Sequence, residues 1–190
     1  MGLLDVMLGG RKRLKQAAPD RLFALATAQV TLDIELGLKP GGAAAVCFKP
    51  LSGGDFTRAD GEMQELLQAV STGAGTTLRR ETDKLGYDWI VLEDDDLEDL
   101  VTGVHTVADE LKSRGFGDRL LAAMFVFRAG DRKVYLIYGF KTGSFWPFVP
   151  IGDERKRDNA EELSLKAQLE KELPIEADLT KWLALYDAPV

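Results

Sequence analysis

Two apolar segments, residues 120–128 and 132–141, are separated by only three residues, Ala129-Gly130-Asp131. A short connection that contains glycine between two such segments is typical of a β-hairpin. We therefore predict two adjacent antiparallel strands at this point of the chain. Because a lone hairpin is marginally stable in water, this pair favours a larger sheet with helices packed against it.

The segment before the hairpin carries the strongest helical pattern in the chain. It begins after the acidic run 93–96 and stops at Gly115-Phe116-Gly117. Its apolar side chains keep helical spacing and form one stripe, which predicts that one face of the helix packs on the sheet. The stripe consists of Leu97, Leu100, Val101, Val104, Ala108 and Leu111.

The remaining pattern adds more strands and helices. Alternating apolar and polar residues over 30–36 predict a half-buried strand, residues 39–42 predict a turn, and residues 43–49 predict a buried strand. The other predicted elements are a short helix after Asp20, a helix from Asp55 through Val70, strands at 76–82 and 87–93, a helix from an Asp158 cap through Leu173, and a short helix from Asp178. Strands paired through tight turns predict an α+β fold. It is a single two-layer domain over residues 20–190, an antiparallel sheet with helices on one face.

The single cysteine, Cys47, and the single histidine, His105, exclude several kinds of site. Structural zinc needs about four Cys or His ligands, and an HExxH metalloprotease needs two histidines on one helical turn. One cysteine cannot form an intramolecular disulfide, which fits a reducing compartment. We expect no cofactor and no metal.

Charge and hydropathy limit where in the cell the protein can be expected and which partners it can bind. The formal net charge of −7 argues against nucleic acid as a partner. No apolar run approaches the ~20 residues of a membrane-spanning helix. The apolar stretch 3–8 precedes the nearest basic cluster, whereas a signal peptide has the opposite order. We therefore expect a cytoplasmic protein.

The charge is unevenly distributed, because residues 1–15 carry +3 and the rest of the chain carries −10. Residues 1–19 form an amphipathic-basic segment in which a short apolar turn precedes a basic tract. This composition is typical of a weak interfacial anchor, although such a segment could also dock on a protein partner or on its own domain. The predicted contact residues are Leu3, Leu4, Met7, Leu8, Arg11, Lys12, Arg13 and Lys15.

Three features have a functional and a structural interpretation. His105 is either a general base or, as we favour, a histidine at the edge of the core. Cys47 lies in an apolar segment, where a buried cysteine is favoured over a reactive thiolate. The acidic run 93–96 lacks the spacing of an EF-hand, so helix capping is favoured over a cation site.

The segment 142–150 reads TGSFWPFVP and is interpreted as a loop of unusual content. Its aromatic side chains either fold back over the core or form an exposed apolar patch that meets a partner. The predicted partner surface in the second case is Phe145, Trp146 and Phe148. Solvent accessibility decides between the two alternatives.

Seven sequence segments, in the same order, resemble the PspA-associated protein PspAB family over nearly the whole chain. They read MGLLDVMLGG, VTLDIELGLKPGGAAAVCFKP, YDWIVLE, LVTGVHTVADELKSRGFG, YGFKTGSFWPFVP, RDNAEEL and LPIEADLTKWLALYDAP. The resemblance implies a link to the phage-shock envelope-stress protein PspA and to an HtpX-type membrane protease, and it implies no catalytic residues. The helix followed by a hairpin is also similar in element order to YbjN-type and type III secretion chaperone-like domains, which bind polypeptides and often form homodimers.

We therefore expect a non-enzymatic cytoplasmic adaptor or chaperone-like protein of the envelope stress response. It would bind a protein partner, PspA-like or part of a membrane protease system, and touch the anionic inner-membrane surface through residues 1–19. Two alternatives stay open. One is a small-ligand-binding module, which needs an apolar pocket with a few polar groups, and the other is an enzyme of unknown type that uses His105.

Overall fold

The computed structural model describes residues 21–50, 61, 65, 75–152 and 155–190. The amphipathic-basic segment 1–19 and the predicted Asp20 cap lie outside the described residues. The helix predicted from Asp55 through Val70 also lies outside them, except for Gly61 and Glu65, which are helical.

The described part of the chain is a mixed α+β fold. Its helices are α1 (Ala24–Thr27), α2 (Gln29–Ile34), α3 (Leu97–Ser113) and α4 (Asn159–Leu169). Its strands are β1 (Lys39–Phe48), β2 (Thr77–Thr82), β3 (Asp88–Glu93), β4 (Leu120–Ala129), β5 (Arg132–Gly139), β6 (Ser144–Phe148), β7 (Pro150–Ile151) and β8 (Lys156–Arg157). Two short 3₁₀ turns, Gly117–Arg119 and Leu179–Lys181, complete it.

Strands β1 to β6 form one antiparallel sheet in the order β2-β3-β1-β4-β5-β6. The predicted hairpin is confirmed: β4 and β5 pair from Ala129 with Arg132 to Ala122 with Gly139. The predicted strands at 43–49, 76–82 and 87–93 are confirmed as β1, β2 and β3. The predicted class, an α+β fold with an antiparallel sheet and helices mostly on one face, is therefore confirmed.

One face of the sheet packs against the helices. Alternate strand residues such as Val46, Ile90 and Phe125 join the apolar stripe of α3 in a large buried cluster. Helices α1, α2 and α4 add Leu25, Leu32 and Leu165 to the same cluster, among others. The side-chain period of two in a strand places every second residue on this face. The apolar stripe of α3 that the sequence predicts packs against these residues.

The opposite face is buried by the C-terminal segment 182–190, here called the strap. Strand residues that point away from the helices form two clusters with it, and they include Cys47, Trp89, Met124 and Ile137. The strap follows the last 3₁₀ turn and has no helix or strand of its own. An irregular peptide thus covers a sheet face that would otherwise expose aromatic and aliphatic side chains.

The prediction of a strand over 30–36 is wrong, because these residues form α2 and the turn that follows it. Leu25, Ala28 and Leu32 are buried at helical spacing, whereas Val30 and Ile34 are 67% and 78% exposed. The alternating pattern therefore does not reflect burial, since two of its apolar residues, Val30 and Ile34, face solvent. Tertiary packing of Leu32 on α3 and the sheet decided the conformation.

The prediction of a turn at 39–42 is also wrong, because β1 begins at Lys39. The ladder between β1 and β4 shifts register between Pro40 and Ala44, which places a β-bulge at the two glycines. Gly42 has φ +76°, a conformation that glycine adopts without strain. The turn-like residues thus mark a bulge inside a long strand.

The backbone of β1 comes close to Val126 of β4 at Gly41, and a substitution of Gly41 tests this contact. A Cβ atom at this position would lie 2.6 Å from Val126 Cγ1 and 3.1 Å from the Val126 carbonyl oxygen. We expect Gly41→Ala to lower the free energy of unfolding by about 1–3 kcal/mol in urea titrations, because overpacking forces neighbours to move. Gly61→Ala is the control, since nothing lies within 4 Å of its added Cβ. An equal effect of the two substitutions would contradict the bulge contact, and Val126→Ala should relieve the cost of Gly41→Ala.

The segment 142–150 is a strand rather than a loop over most of its length. β6 is an edge strand that pairs with β5, and Pro147 lies opposite Leu136. Proline is tolerated at an edge strand because it lacks only an outward-facing donor. The outer edge of β6 is met by the chain at 174–176, where Phe145 N–H donates to the Pro174 carbonyl oxygen at 2.8 Å.

The two C-terminal helices differ from their predicted extent. The Asp158 cap is confirmed, since its carboxylate accepts the Glu161 N–H at 3.0 Å. However, α4 ends at Leu169 rather than Leu173, because residues 170–172 form a turn in which the N–H groups of Glu172 and Leu173 donate to the Leu169 carbonyl oxygen. The predicted helix after Asp178 is only the 3₁₀ turn 179–181.

Candidate binding site

A cavity of about 540 Å³ lies between the sheet and the strap. Four neighbouring strands bring their ends to it: β1 with Cys47, β3 with Trp89, β4 with Ala122 and β5 with Gly139. Antiparallel order places the carboxyl ends of β1 and β5 beside the amino ends of β3 and β4. The strap closes the other side with residues 183–188.

Two tryptophans form the aromatic part of this lining, and both are held by hydrogen bonds. Trp89 Nε1 donates to Asp83 Oδ2 at 2.9 Å, and Trp146 Nε1 donates to the Leu183 carbonyl oxygen at 3.0 Å. The first bond fixes the ring against the turn between β2 and β3. The second ties the start of the strap to β6, so that the cavity has rigid aromatic sides.

Cys47 lies in this cavity lining and is 3% exposed. Burial raises the pKa of its thiol to about 12, and the nearby carboxylates of Asp83 and Asp88 act in the same direction. A thiol with so high a pKa carries almost no thiolate at neutral pH, and the thiolate is the reactive form. The interpretation of Cys47 as a buried cysteine is therefore supported by both burial and pKa.

Charged side chains surround the apolar interior of the cavity. Three cations, Lys141, Arg155 and Lys181, stand against two carboxylates, Asp83 and Asp187. Arg155 Nη2 donates to Asp187 Oδ1 at 2.7 Å, and Lys181 Nζ lies 3.6 Å from Asp178 Oδ2. Lys141 has neither a hydrogen bond nor an ion pair within the described part of the chain, and its side chain is exposed.

A buried ion pair fixes the position at which the strap begins. Glu162 of α4 is 2% exposed, and it accepts Arg157 Nε at 2.9 Å and the Val149 N–H at 2.9 Å. Arg157 Nη1 in turn donates to the Trp182 carbonyl oxygen at 2.8 Å. The Arg157–Glu162 pair therefore joins α4, the residue after β6 and the first residue of the strap.

His105 lies away from the cavity, on α3. Its Nε2 is 3.3 Å from Asp109 Oδ2 one helical turn later, and its ring centroid is 5.0 Å from that of Phe23. The side chain is 25% exposed. This is the predicted position at the edge of the core, and His105 does not line the cavity under the strap.

The acidic run 93–96 leads into α3 and caps it as predicted, with Glu93 as the last residue of β3. Asp96 is the N-cap and its Oδ1 accepts the N–H of Glu98 at 2.7 Å. The Asp96 N–H and the Thr76 hydroxyl both donate hydrogen bonds to the Asp94 carboxylate. These bonds hold the pKa of that carboxyl below its ordinary value, and the bond from Asp96 has the larger effect. Within the described ranges, no group of three or more His, Cys, Asp or Glu residues could hold a metal ion.

The predicted partner surface at Phe145, Trp146 and Phe148 is not an exposed patch. These side chains are 0%, 4% and 1% exposed, because β6 presents Phe145 to the helices and the other two to the strap. The core alternative is therefore the correct one for this segment.

None of the helices in the described ranges is long and apolar enough to cross a membrane.

Sequence reasoning missed the strap and the Arg157–Glu162 pair. The signal for the strap was present, since Trp182, Leu185, Tyr186, Ala188 and Val190 make the end of the chain apolar. The sequence predicts Trp182 in the short helix from Asp178, whereas the residues after that helix lack helical or strand periodicity, so no element is predicted for them. The ion pair joins residues five apart across a helix start, and only the fold shows that Glu162 is buried.

The fold and the cavity define an α+β protein whose six-stranded sheet is covered by helices on one face and by a peptide strap on the other. The chain belongs to the PspAB family, PspA associated protein B, whose family model matches residues 1–190. Searches of curated proteins and of solved structures found no match. The expected similarity to type III secretion chaperones and YbjN-type domains is therefore not confirmed.

Proposed function

We propose that this protein is a non-enzymatic adaptor that binds a PspA-type protein in the envelope stress response. The observation that carries the proposal is the match of the family model to the whole chain, because the family is named for its association with PspA. The chaperone-like character expected from the sequence belongs to the same proposal, since holding a protein partner is the shared activity.

The positions of the two candidate catalytic side chains support a binding role over an enzymatic one. Burial and two carboxylates hold the Cys47 thiol protonated, and His105 pairs with Asp109 and packs on Phe23. A nucleophile and its base must lie within hydrogen-bond reach, whereas Cys47 faces the strap and His105 lies on α3, in the opposite layer.

The amphipathic-basic segment 1–19 is the proposed second contact, with the anionic inner-membrane surface. Each basic side chain near such a surface contributes roughly 1 kcal/mol, and Arg11, Lys12, Arg13 and Lys15 lie close together in sequence. A protein held in this way would be cytoplasmic and peripheral to the membrane.

Binding to the purified PspA-type protein from the same cell tests the adaptor proposal. We expect a saturable complex by isothermal titration calorimetry with the full chain, and absence of binding at high micromolar concentration would overturn the proposal. Flotation with anionic liposomes tests the membrane contact separately. There, Arg11→Glu/Lys12→Glu/Arg13→Glu should abolish flotation, whereas the control Lys49→Glu/Lys84→Glu/Lys171→Glu, with the same net charge, should not.

A further inference from the structure

The cavity under the strap has the size and composition of a small-ligand site. Its volume of about 540 Å³ falls within the 300–1,000 Å³ of typical ligand pockets. The interior is apolar and aromatic, with Cys47, Trp89 and Trp146 in the wall, and those three side chains are almost completely buried. Such an interior stabilises an apolar group by removing it from water.

The exposed side chains in the lining mark the mouth of the cavity and determine which ligand fits. Lys141 and Arg155 lie there, and the carboxylates beside them already have partners. Asp187 is bound by Arg155, while Asp83 accepts Trp89 Nε1 and the N–H groups of Leu85 and Tyr87. Arg155 is paired with Asp187, and Lys181 Nζ lies 3.7 Å from Glu176 Oε1 and 3.6 Å from Asp178 Oδ2. Among the described residues of the lining, the Lys141 ammonium is therefore the cation left for a ligand.

An apolar interior with one available cation at its mouth is complementary to a chain that carries a single terminal anion. We propose that the cavity binds a fatty acid, with the acyl chain against Trp89 and Trp146 and the carboxylate at Lys141. The site is independent of the PspA contact proposed above, because it lies within one chain and is measured without a partner.

Titration of the full chain with sodium dodecanoate tests this proposal. Trp89 and Trp146 lie in the wall, so their fluorescence should change saturably, and calorimetry should give the same dissociation constant. Dodecanol and dodecyltrimethylammonium, which have the same chain length but no negative charge, should bind about tenfold more weakly or worse. Equal binding of all three amphiphiles, or no saturable change with dodecanoate, would overturn the proposal.

Two kinds of variant locate the site. Lys141→Ala should weaken dodecanoate binding about tenfold, as expected for loss of a charge-assisted hydrogen bond, and leave dodecanol binding unchanged. Lys171→Ala is the matched control, because Lys171 is an exposed lysine outside the cavity lining. Ala122→Phe from the sheet and Ala184→Phe from the strap should each fill the cavity and abolish binding. Full binding by both filled variants, with unchanged circular dichroism, would also overturn the proposal.

Discussion

Replacing Arg157 with methionine is expected to lower the free energy of unfolding by about 3–5 kcal/mol, because it leaves a buried carboxylate without its cation. Glu162 is 2% exposed and Arg157 is 21% exposed, so solvent screens this pair little. The guanidinium also holds the Trp182 carbonyl oxygen and lies 5.5 Å from the centroid of the Phe148 ring. Urea denaturation followed by circular dichroism measures the loss.

Two further variants separate the ion pair from simple packing. Arg157→Met/Glu162→Gln should recover a measurable part of the loss, because glutamine carries no charge and still accepts the Val149 N–H. Arg155→Met is the matched control, since Arg155 also bonds a carboxylate, Asp187 of the strap, but is 61% exposed. An exposed pair is worth at most about 1 kcal/mol. If Arg155→Met cost as much as Arg157→Met, burial of the pair would not be the cause.

The elements predicted best from sequence are those with long, regular patterns. The helix 97–113 and the hairpin 120–139 appear as predicted, because an apolar stripe and a glycine-containing turn are local signals. The failures lie where local signals conflict with packing. Residues 30–36 alternate like a strand but become helix α2 and its end, since only Leu32 among their alternating apolar residues is fully buried.

The candidate site was less predictable than the fold. The sequence identifies Cys47 and Trp146 only as separate residues, 99 positions apart along the chain. The cavity brings them together from β1 and β6. The strap closes the other side of the cavity. Its residues have no repeating sequence pattern from which their conformation could be predicted. A site made between a sheet face and an irregular peptide depends on long-range contacts, and these are not encoded in any one window of sequence.

Removal of the strap should expose the sheet face that it covers. Several of the side chains that the strap covers are large and apolar, among them Met124, Ile137 and Phe148. Their exposure would create an apolar patch of the kind that drives association. Cys47 lies on this face, and because it is the only cysteine in the chain, its labelling rate reports directly on the covering.

Deleting residues 183–190 is expected to raise the alkylation rate of Cys47 at pH 8 by about 100-fold or more. Burial is the largest cause of the raised Cys47 pKa of about 12, and strap residues pack on the cluster that contains Cys47. An exposed cysteine has a pKa near 8.5, so the thiolate fraction should rise steeply once the strap is gone. The rate with iodoacetamide is measured on both chains, with circular dichroism to establish folding and urea-unfolded samples as the common reference.

A second variant keeps the test decisive if the shortened chain fails to fold. Leu185→Asp places a carboxylate against the sheet face that Leu185 now covers, so it should loosen the strap and raise the labelling rate in the same direction by a smaller factor. Thr180→Ala is the control just before the strap, because Thr180 is exposed and its hydroxyl bonds only Asp178 among the described contacts. Equally slow labelling of the folded short chain and the full chain would mean that the strap does not protect Cys47, and the cavity would then lack the wall on which ligand binding depends.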